Sequence, residues 1–221
     1  MTAVQPTVLI AMPCLDHIKT PTVHSLFAAS ARLQAPAQLH LHQSAYVHDA
    51  RNKSAEMAVE GGFTHIMFID SDMQFPANSM QKLLELDKDI VGGLYYRRQV
   101  PHMPTLNVIE GDSIVIPTLD KYPMDKPFKI FSVATGFLMV KTSVFKKIPA
   151  PWFGFGKYKG KKEMGEDVFF CRKANDHGFE VWCDPTIPLG HVGEYTYTKQ
   201  DYDAYQDLRP EKASGEFDGK L

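Results

Sequence analysis

The sequence predicts a doubly wound α/β domain, with a central and mainly parallel sheet flanked by helices, and three observations predict it. Short apolar runs alternate with segments of helical period through the first third of the chain. Residues 66–69 are continuously apolar, which suits a strand covered on both faces, as parallel strands between helices are. With 221 residues, 44% of them hydrophobic, the chain is long enough for one sizeable core.

The elements follow in order. Val8, Leu9, Ile10, Ala11 and Met12 form an apolar run stopped by Pro13, and Val23, Leu26, Phe27, Ser30 and Ala31 then recur at helical spacing. Leu39, His40, Leu41 and His42 alternate as a second, less buried strand. The stretch "ARNKSAEMAVEGG" places Ala55, Ala58 and Val59 on one helical face and stops at Gly61 and Gly62. "THIMFIDSDMQFP" supplies the third strand, and strand, helix, strand, helix, strand is a doubly wound half.

"SMQKLLELDKD" reads as a helix, "DIVGGLYYRR" as a strand with a close approach at Gly92 and Gly93, and "KIFSVATGFLMVKTSVFKKI" as one or two strands entering a helix. Residues 99–128 carry many prolines and little periodicity, which predicts a loop-rich insertion over one face. "GEDVFFCRKANDHG" is a further helix ended by Gly178, and "FEVWCDP" a last strand. The domain is expected over residues 1–195, followed by a polar tail, 196–221, with a frayed end.

A net charge of -2 lacks the basic field of a dedicated nucleic-acid binder, although a nucleic acid stays compatible as a substrate. Cys14, Cys171 and Cys183 are odd in number and far apart, so neither a disulfide framework nor a thiolate zinc site is indicated. No apolar run approaches the ~20 residues of a membrane span, and the N-terminus has neither the basic start nor the cleavage site of a secretory signal. The expectation is a soluble, cytoplasmic protein.

Two acids follow the run 66–69 without a spacer. In an extended backbone Asp70 and Asp72 would project together while Ser71 faces the other side, at the carboxyl end of a central strand where open α/β sheets bind ligands. Two carboxylates a few Å apart repel by roughly 4 kcal/mol at an effective dielectric of 20, a cost that a divalent cation removes. All-oxygen ligation suits Mg²⁺ or Mn²⁺, whose remaining positions go to water and substrate phosphates, so the pair points to a diphosphate ligand. The alternative is that the same residues begin a loop and cap the next helix.

Four features occur in order: the opening strand ending "AMP", Arg51-Asn52 opening a helix before the acidic strand, "FIDSDMQFP", and "GEDVFFCRKANDHGFEVWCDP" followed by "GHVG". Spanning about residues 8–193, they resemble the GT-A superfamily of nucleotide-sugar glycosyltransferases, in particular its small family-2-like members. The resemblance implies a single GT-A (Rossmann-like) domain that moves a sugar from a nucleoside-diphosphate donor, of UDP or GDP type, to an acceptor hydroxyl.

It also implies roles. Asp72 becomes the direct ligand of Mn²⁺ or Mg²⁺, Asp70 acts through water or the donor's ribose, and His191 completes the metal shell; one histidine among nine is otherwise structural. Asp167, with Glu166 beside it, becomes the base of an inverting reaction, whereas the local alternative is that acids in a first helical turn answer the macrodipole. Arg51, Asn52, Asp70 and Ser71 are placed on the donor, with Pro13, the loop after it and Ser44 beside the base; for Arg51 the local alternative is a surface helix start. Gly136 in "ATGFLM" either lies under the donor sugar or makes a glycine bulge in a core strand.

"PWFGFGKYKGKKEMGED" becomes a cover over donor and acceptor, with Trp152 stacked on a sugar face. Lys157, Lys159, Lys161 and Lys162 either meet an anionic acceptor or form a solvated loop.

Among rivals, a nucleotidyltransferase would open with a glycine-rich phosphate loop, which "AMPCLDHIKTPT" lacks. A glycoside hydrolase needs two carboxylates but not a metal-binding pair. A retaining transferase and a non-catalytic sugar-binding module stay as alternatives. The resemblance extends to small stand-alone transferases of viruses and bacteria, which adds host cytoplasm as a location. Acceptors would then be surface glycans, protein-linked glycans or modified DNA bases, the last fitting the neutral charge less well.

Overall fold

Successive residues of a strand point to opposite faces, so the run 66–69 can be wholly apolar only where both faces are covered. A computed structural model, which describes residues 5–99, 101–160, 162–194 and 199, has that arrangement. The tail expected from residue 196, Lys199 aside, and Lys161 lie outside the described residues, and the side chain of Lys162 is likewise not described.

The chain runs β1 (Val8–Cys14), α1 (Thr20–Ser30), β2 (Ala37–Gln43), α2 (Val47–Glu60), β3 (His65–Ile69), β4 (Met73–Gln74), α3 (Ser79–Glu85) and β5 (Ile90–Gly93). It continues through β6 (Leu106–Glu110), β7 (Ser113–Val115), a 3-10 turn (Leu119–Lys121), β8 (Phe128–Ile130), β9 (Ser132–Val133), β10 (Phe137–Lys141) and α4 (Thr142–Lys147). Last come β11 (Gly156–Tyr158), β12 (Lys162–Met164), α5 (Glu166–Asp176), β13 (Val181–Asp184) and β14 (Gly190–His191).

Seven strands form the main sheet in the order β2-β1-β3-β10-β5-β13-β8. β1 pairs in parallel with β2 and β3, and β13 in parallel with β5; β10 runs antiparallel between β3 and β5, and β8 antiparallel on the β13 edge. The sheet is therefore mainly parallel.

β3 divides the core between the two faces. Ile66 and Phe68 join Ala55, Ala58, Phe145, Phe153 and Phe170 on one side, while Met67 and Ile69 join Leu26, Ala29, Met80 and Leu83 on the other. Phe153 and Phe170 stack at 4.7 Å between centroids, and Phe68 meets Phe153 edge-on at 5.3 Å, so an aromatic layer lies between β3 and the start of α5. Each such pair adds about 0.5–1.5 kcal/mol beyond its area burial, enough to fix how α5 sits on the sheet.

Two expectations change. On α1 the buried positions are Thr22, Ser25, Leu26 and Ala29, while Val23 and Phe27 are exposed. The helix is turned because Thr22 and Ser25 hydrogen-bond the segment after β3: the Thr22 hydroxyl donates to the Ser71 carbonyl, and Ser25 Oγ accepts from the Phe75 N–H. The middle region is not only loop, since β6 pairs with β7 and, through Leu106 and Asn107, with β9.

Candidate active site

β3 ends at Ile69, and the backbone turns at once, with the Asp70 carbonyl accepting from the Met73 N–H at 3.3 Å. The extended geometry expected for residues 70–72 is therefore absent. The turn sends the two carboxylates to different partners, and those partners define two adjoining centres.

The first centre is built on Arg51, in the second turn of α2, which is only 2% exposed. Its Nη2 donates to Asp70 Oδ1 at 2.7 Å and its Nη1 to Glu166 Oε1, while Nε has no partner among the described residues. Burial works against the guanidinium's charge, but the carboxylates of Asp70 and Glu166 outweigh it and raise its pKa. One cation thus joins the end of β3 to the start of α5.

Asp167, next to Glu166 in the first turn of α5, is partly buried. Burial, reinforced by the Glu166 charge, pushes its carboxyl above the usual carboxylate range, although the Val168 N–H donates to Oδ1 at 2.7 Å. A raised pKa of this kind suits a proton acceptor working near neutrality.

The second centre is built on Asp72. Antiparallel pairing of β4 with β14 sets His191 opposite Met73, and the Val192 N–H donates to the Asp72 carbonyl at 2.8 Å. His191 Nε2 then lies 3.6 Å from Asp72 Oδ2, and Arg98 Nη1 lies 2.9 Å from the same oxygen. The His191 Nδ1–H donates to the Tyr96 carbonyl at 3.0 Å, so Nε2 is the nitrogen turned to the carboxylate. An imidazole fixed through its far nitrogen by a backbone carbonyl is the usual arrangement of a metal-ligating histidine.

The Asp72 carboxylate raises the pKa of His191. Burial opposes ionisation of Asp72, but His191 and Arg98 outweigh it and hold that pKa below the ordinary value.

Among the described residues no group of three or more His, Cys, Asp and Glu is arranged around one metal position. The donor set that does converge is one carboxylate and one imidazole, Asp72 and His191. The carboxylate suits Mn²⁺ or Mg²⁺ with water and phosphate oxygens in the remaining positions, and the imidazole adds a nitrogen ligand of the kind that later first-row metals favour. Asp70 is committed to Arg51 and stands outside that pair.

The other sequence-derived positions fall in several places. Gly136 donates its N–H to the buried Tyr95 hydroxyl at 3.1 Å and its carbonyl accepts from the Asp70 N–H at 3.0 Å. A Cβ there would meet the Tyr95 hydroxyl and come within 2.9 Å of Asp70 Oδ2, so glycine is required by the packing beneath Asp70. The Ser71 carbonyl accepts from the Lys19 N–H at 2.9 Å and the Thr22 hydroxyl at 3.1 Å, which ties the acidic turn to α1.

Asn52 is engaged as a clasp, accepting from the N–H groups of Trp152 and Phe153 and donating to the Phe153 carbonyl at 2.8 Å. Trp152 turns inward, its Nε1 donating to the carbonyls of Phe145 and Ile148 and its ring edge-on to Phe145. Both residues hold the loop before β11 against the core. Lys159 pairs with Asp112 at 2.5 Å.

Pro13 is buried in β1, and Ser44 Oγ closes a local turn by accepting the Tyr46 N–H at 3.0 Å. The loop between them frames a cavity of about 410 Å³ lined by Cys14, Leu15, Asp16, His17, Ile18, Leu41 and Gln43, at the carboxyl ends of β1 and β2. Sequence reasoning missed Tyr95 and Arg98. Their signal was their place in "GGLYYRR", directly after a central strand.

Fold and site together define a GT-A-type α/β fold with an acidic turn at the carboxyl end of a central parallel strand. Among solved structures, the chain is similar to A197 from STIV, with TM-score 0.59, 17% identity, and 86% of this chain and 87% of that one covered. It is also similar to TarS residues 1–349 from S. aureus in complex with UDP-GlcNAc, with TM-score 0.51, 13% identity, and 92% of this chain and 65% of that one covered. No family model and no curated protein matches the sequence. No helix among the described residues is long and apolar enough to cross a membrane.

Replacing Arg51 by Ala leaves two carboxylates facing each other without their cation. Breaking a buried pair in this way costs about 3–5 kcal/mol, and urea unfolding of Arg51→Ala will show a loss of that order.

Asp72 and His191 predict a pH window. The folded-state pKa of His191 is raised, so its contribution is full below about pH 6.5 and is lost as pH rises through the folded value. The Asp72 pKa is lowered, so its contribution is full above about pH 3.9 and is lost as pH falls through the folded value. In metal-free buffer, the difference in melting temperature between wild type and His191→Gln will be largest from about pH 4 to 6.5 and will shrink on either side.

Proposed function

We propose that the protein is a metal-dependent glycosyltransferase that moves a sugar from a nucleoside-diphosphate donor to an acceptor hydroxyl with inversion. The observation that carries this reading is the meeting of Asp72 and His191, 119 positions apart in the chain, through the β4–β14 ladder at the carboxyl end of β3. The cavity framed by residues 14–18 and β2 supports it, because it offers a space for the nucleoside on the same edge of the sheet. The fold likeness to TarS, seen with UDP-GlcNAc, is consistent with a nucleotide-sugar donor.

In this reading Asp72 and His191 hold Mn²⁺ or Mg²⁺, which when bound neutralises charge on the leaving diphosphate. Asp167 accepts the proton of the acceptor hydroxyl as its oxygen bonds to the anomeric carbon. The bond from that carbon to the diphosphate oxygen breaks, so the nucleoside diphosphate leaves intact. Glu166 and Asp70, through Arg51, set the distance between the proton acceptor and the diphosphate site. Asp167 suits this role because burial and the Glu166 charge raise its pKa above the ordinary carboxylate range, which improves its proton affinity.

The test is a thermal-shift titration with UDP, GDP, CDP and dTDP, each with Mn²⁺, Mg²⁺ or chelator. One nucleotide will raise the melting temperature in a metal-dependent way, since a ligand that binds only the folded state stabilises it. Asp72→Ala will lose the metal-dependent part of that rise. Asp167→Asn will keep it and lose turnover. A folded protein that responds to no nucleotide overturns the donor assignment, and wild-type turnover by Asp167→Asn overturns the base.

A further inference from the structure

Asp72 is paired with a cation of the chain itself, Arg98. Its Nη1 lies 2.9 Å from Asp72 Oδ2 and donates to the Val192 carbonyl at 3.2 Å, so the guanidinium neutralises the carboxylate that a divalent ion would use. The two partners differ in freedom: the Asp72 side chain is 18% exposed and that of Arg98 49%. The arginine is the partner that can leave. Its stem runs over Gly193, where a Cβ would come within 2.9 Å of Arg98 Cδ, so the absence of a side chain at 193 gives the arginine its path.

What the guanidinium would move toward is also present. Arg98 is itself part of the wall of a cavity of about 300 Å³ whose lining also includes Tyr96, Arg97, His102, His191, Gly193 and Glu194. Arg97 is exposed, and its guanidinium has no ion-pair partner among the described residues. His102 is held at the rim by its Nδ1–H, which donates to the Arg97 carbonyl at 3.0 Å. The one acid on the wall, Glu194, is neutralised by Lys19 at 2.6 Å. Two guanidiniums, Arg97 and Arg98, around one space fit a ligand of several negative charges, and a diphosphate is the smallest group of that kind in the reaction.

Resting on the assignment of Asp72 and His191 as the metal platform, we propose that Arg98 is an exchangeable internal cation. In the free protein it occupies the Asp72 carboxylate. When the diphosphate of a bound nucleotide reaches the cavity that Arg98 lines, Arg98 transfers to it and gives the carboxylate up to the divalent ion. Metal and nucleotide therefore strengthen each other's binding, as two ligands that favour the same state must. The free protein is thereby guarded against holding a metal without a donor.

The experiment is Mn²⁺ binding by electron paramagnetic resonance of the free ion, on wild type, Arg98→Ala and Arg98→Lys, alone and with saturating UDP or GDP. Removing a partly exposed competitor strengthens Mn²⁺ binding to the nucleotide-free Arg98→Ala chain by about fivefold, the scale of such a pair. The same variant binds nucleotide less tightly in chelator, and its metal–nucleotide coupling is smaller than that of wild type. Arg98→Lys, which keeps a charge without the fork, falls between. If Arg98→Ala, with an unfolding curve like wild type, binds Mn²⁺ no more tightly while wild type still binds Mn²⁺ with nucleotide, the exchange is wrong and the metal platform stands. If folded wild type and Arg98→Ala bind no Mn²⁺ with or without nucleotide, the platform fails and the exchange with it.

Discussion

The site depends on one buried charge. A guanidinium with almost no exposure is costly to place in a protein interior, and it is tolerated only where fixed carboxylates meet it with good geometry. Arg51 has two, one at the end of β3 and one at the start of α5, and its planar fork serves both at once. A lysine in its place would present a single point of charge and could not hold both elements in register. The consequence is that the acidic turn and the first turn of α5 share one frame, although Asp70 and Asp167 lie 97 positions apart.

That frame explains how neighbouring acids meet different surroundings. At 70–72 the chain leaves β3 in a turn, so one carboxylate points to Arg51 and the other to His191 and Arg98. At 166–167 one residue is pinned by Arg51 while the next sits in a less polar setting beside a negative charge. In both places identical chemistry is differentiated by the partner it meets.

The elements were legible where burial leaves a one-dimensional trace. The run 66–69, the stop at Gly61-Gly62 and the helix ended by Gly178 needed only local information, and Gly62 and Gly178 both take positive φ in the structure. The rotation of α1 was hidden because Thr22 and Ser25 bury through hydrogen bonds, whereas the pattern follows hydrophobicity and so favoured the exposed Val23 and Phe27. β6 and β7 were hidden because their order comes from pairing with each other and with β9. The acids and His191 could be singled out from their motifs, but Arg98 and Tyr95 acquire meaning only once β5 is known to end beside β14. Asn52 and Trp152 show the opposite limit: residue types suited to sugars are equally suited to clasping a loop.

The two-residue ladder between β4 and β14 also bears on how the protein matures. It joins positions in the first and last parts of the described chain, and such distant pairings carry a high entropic cost until the intervening elements have docked. Asp72 and His191 are consequently brought together across 119 positions of the chain, with β5 and β13 among the elements between them. A nascent chain that has made β1 to β3 already carries the acidic turn, yet lacks its histidine until the final strand arrives. Formation of the Asp72–His191 pair is thus coupled to completion of the described fold, and a partly folded chain holds the acidic turn without its histidine.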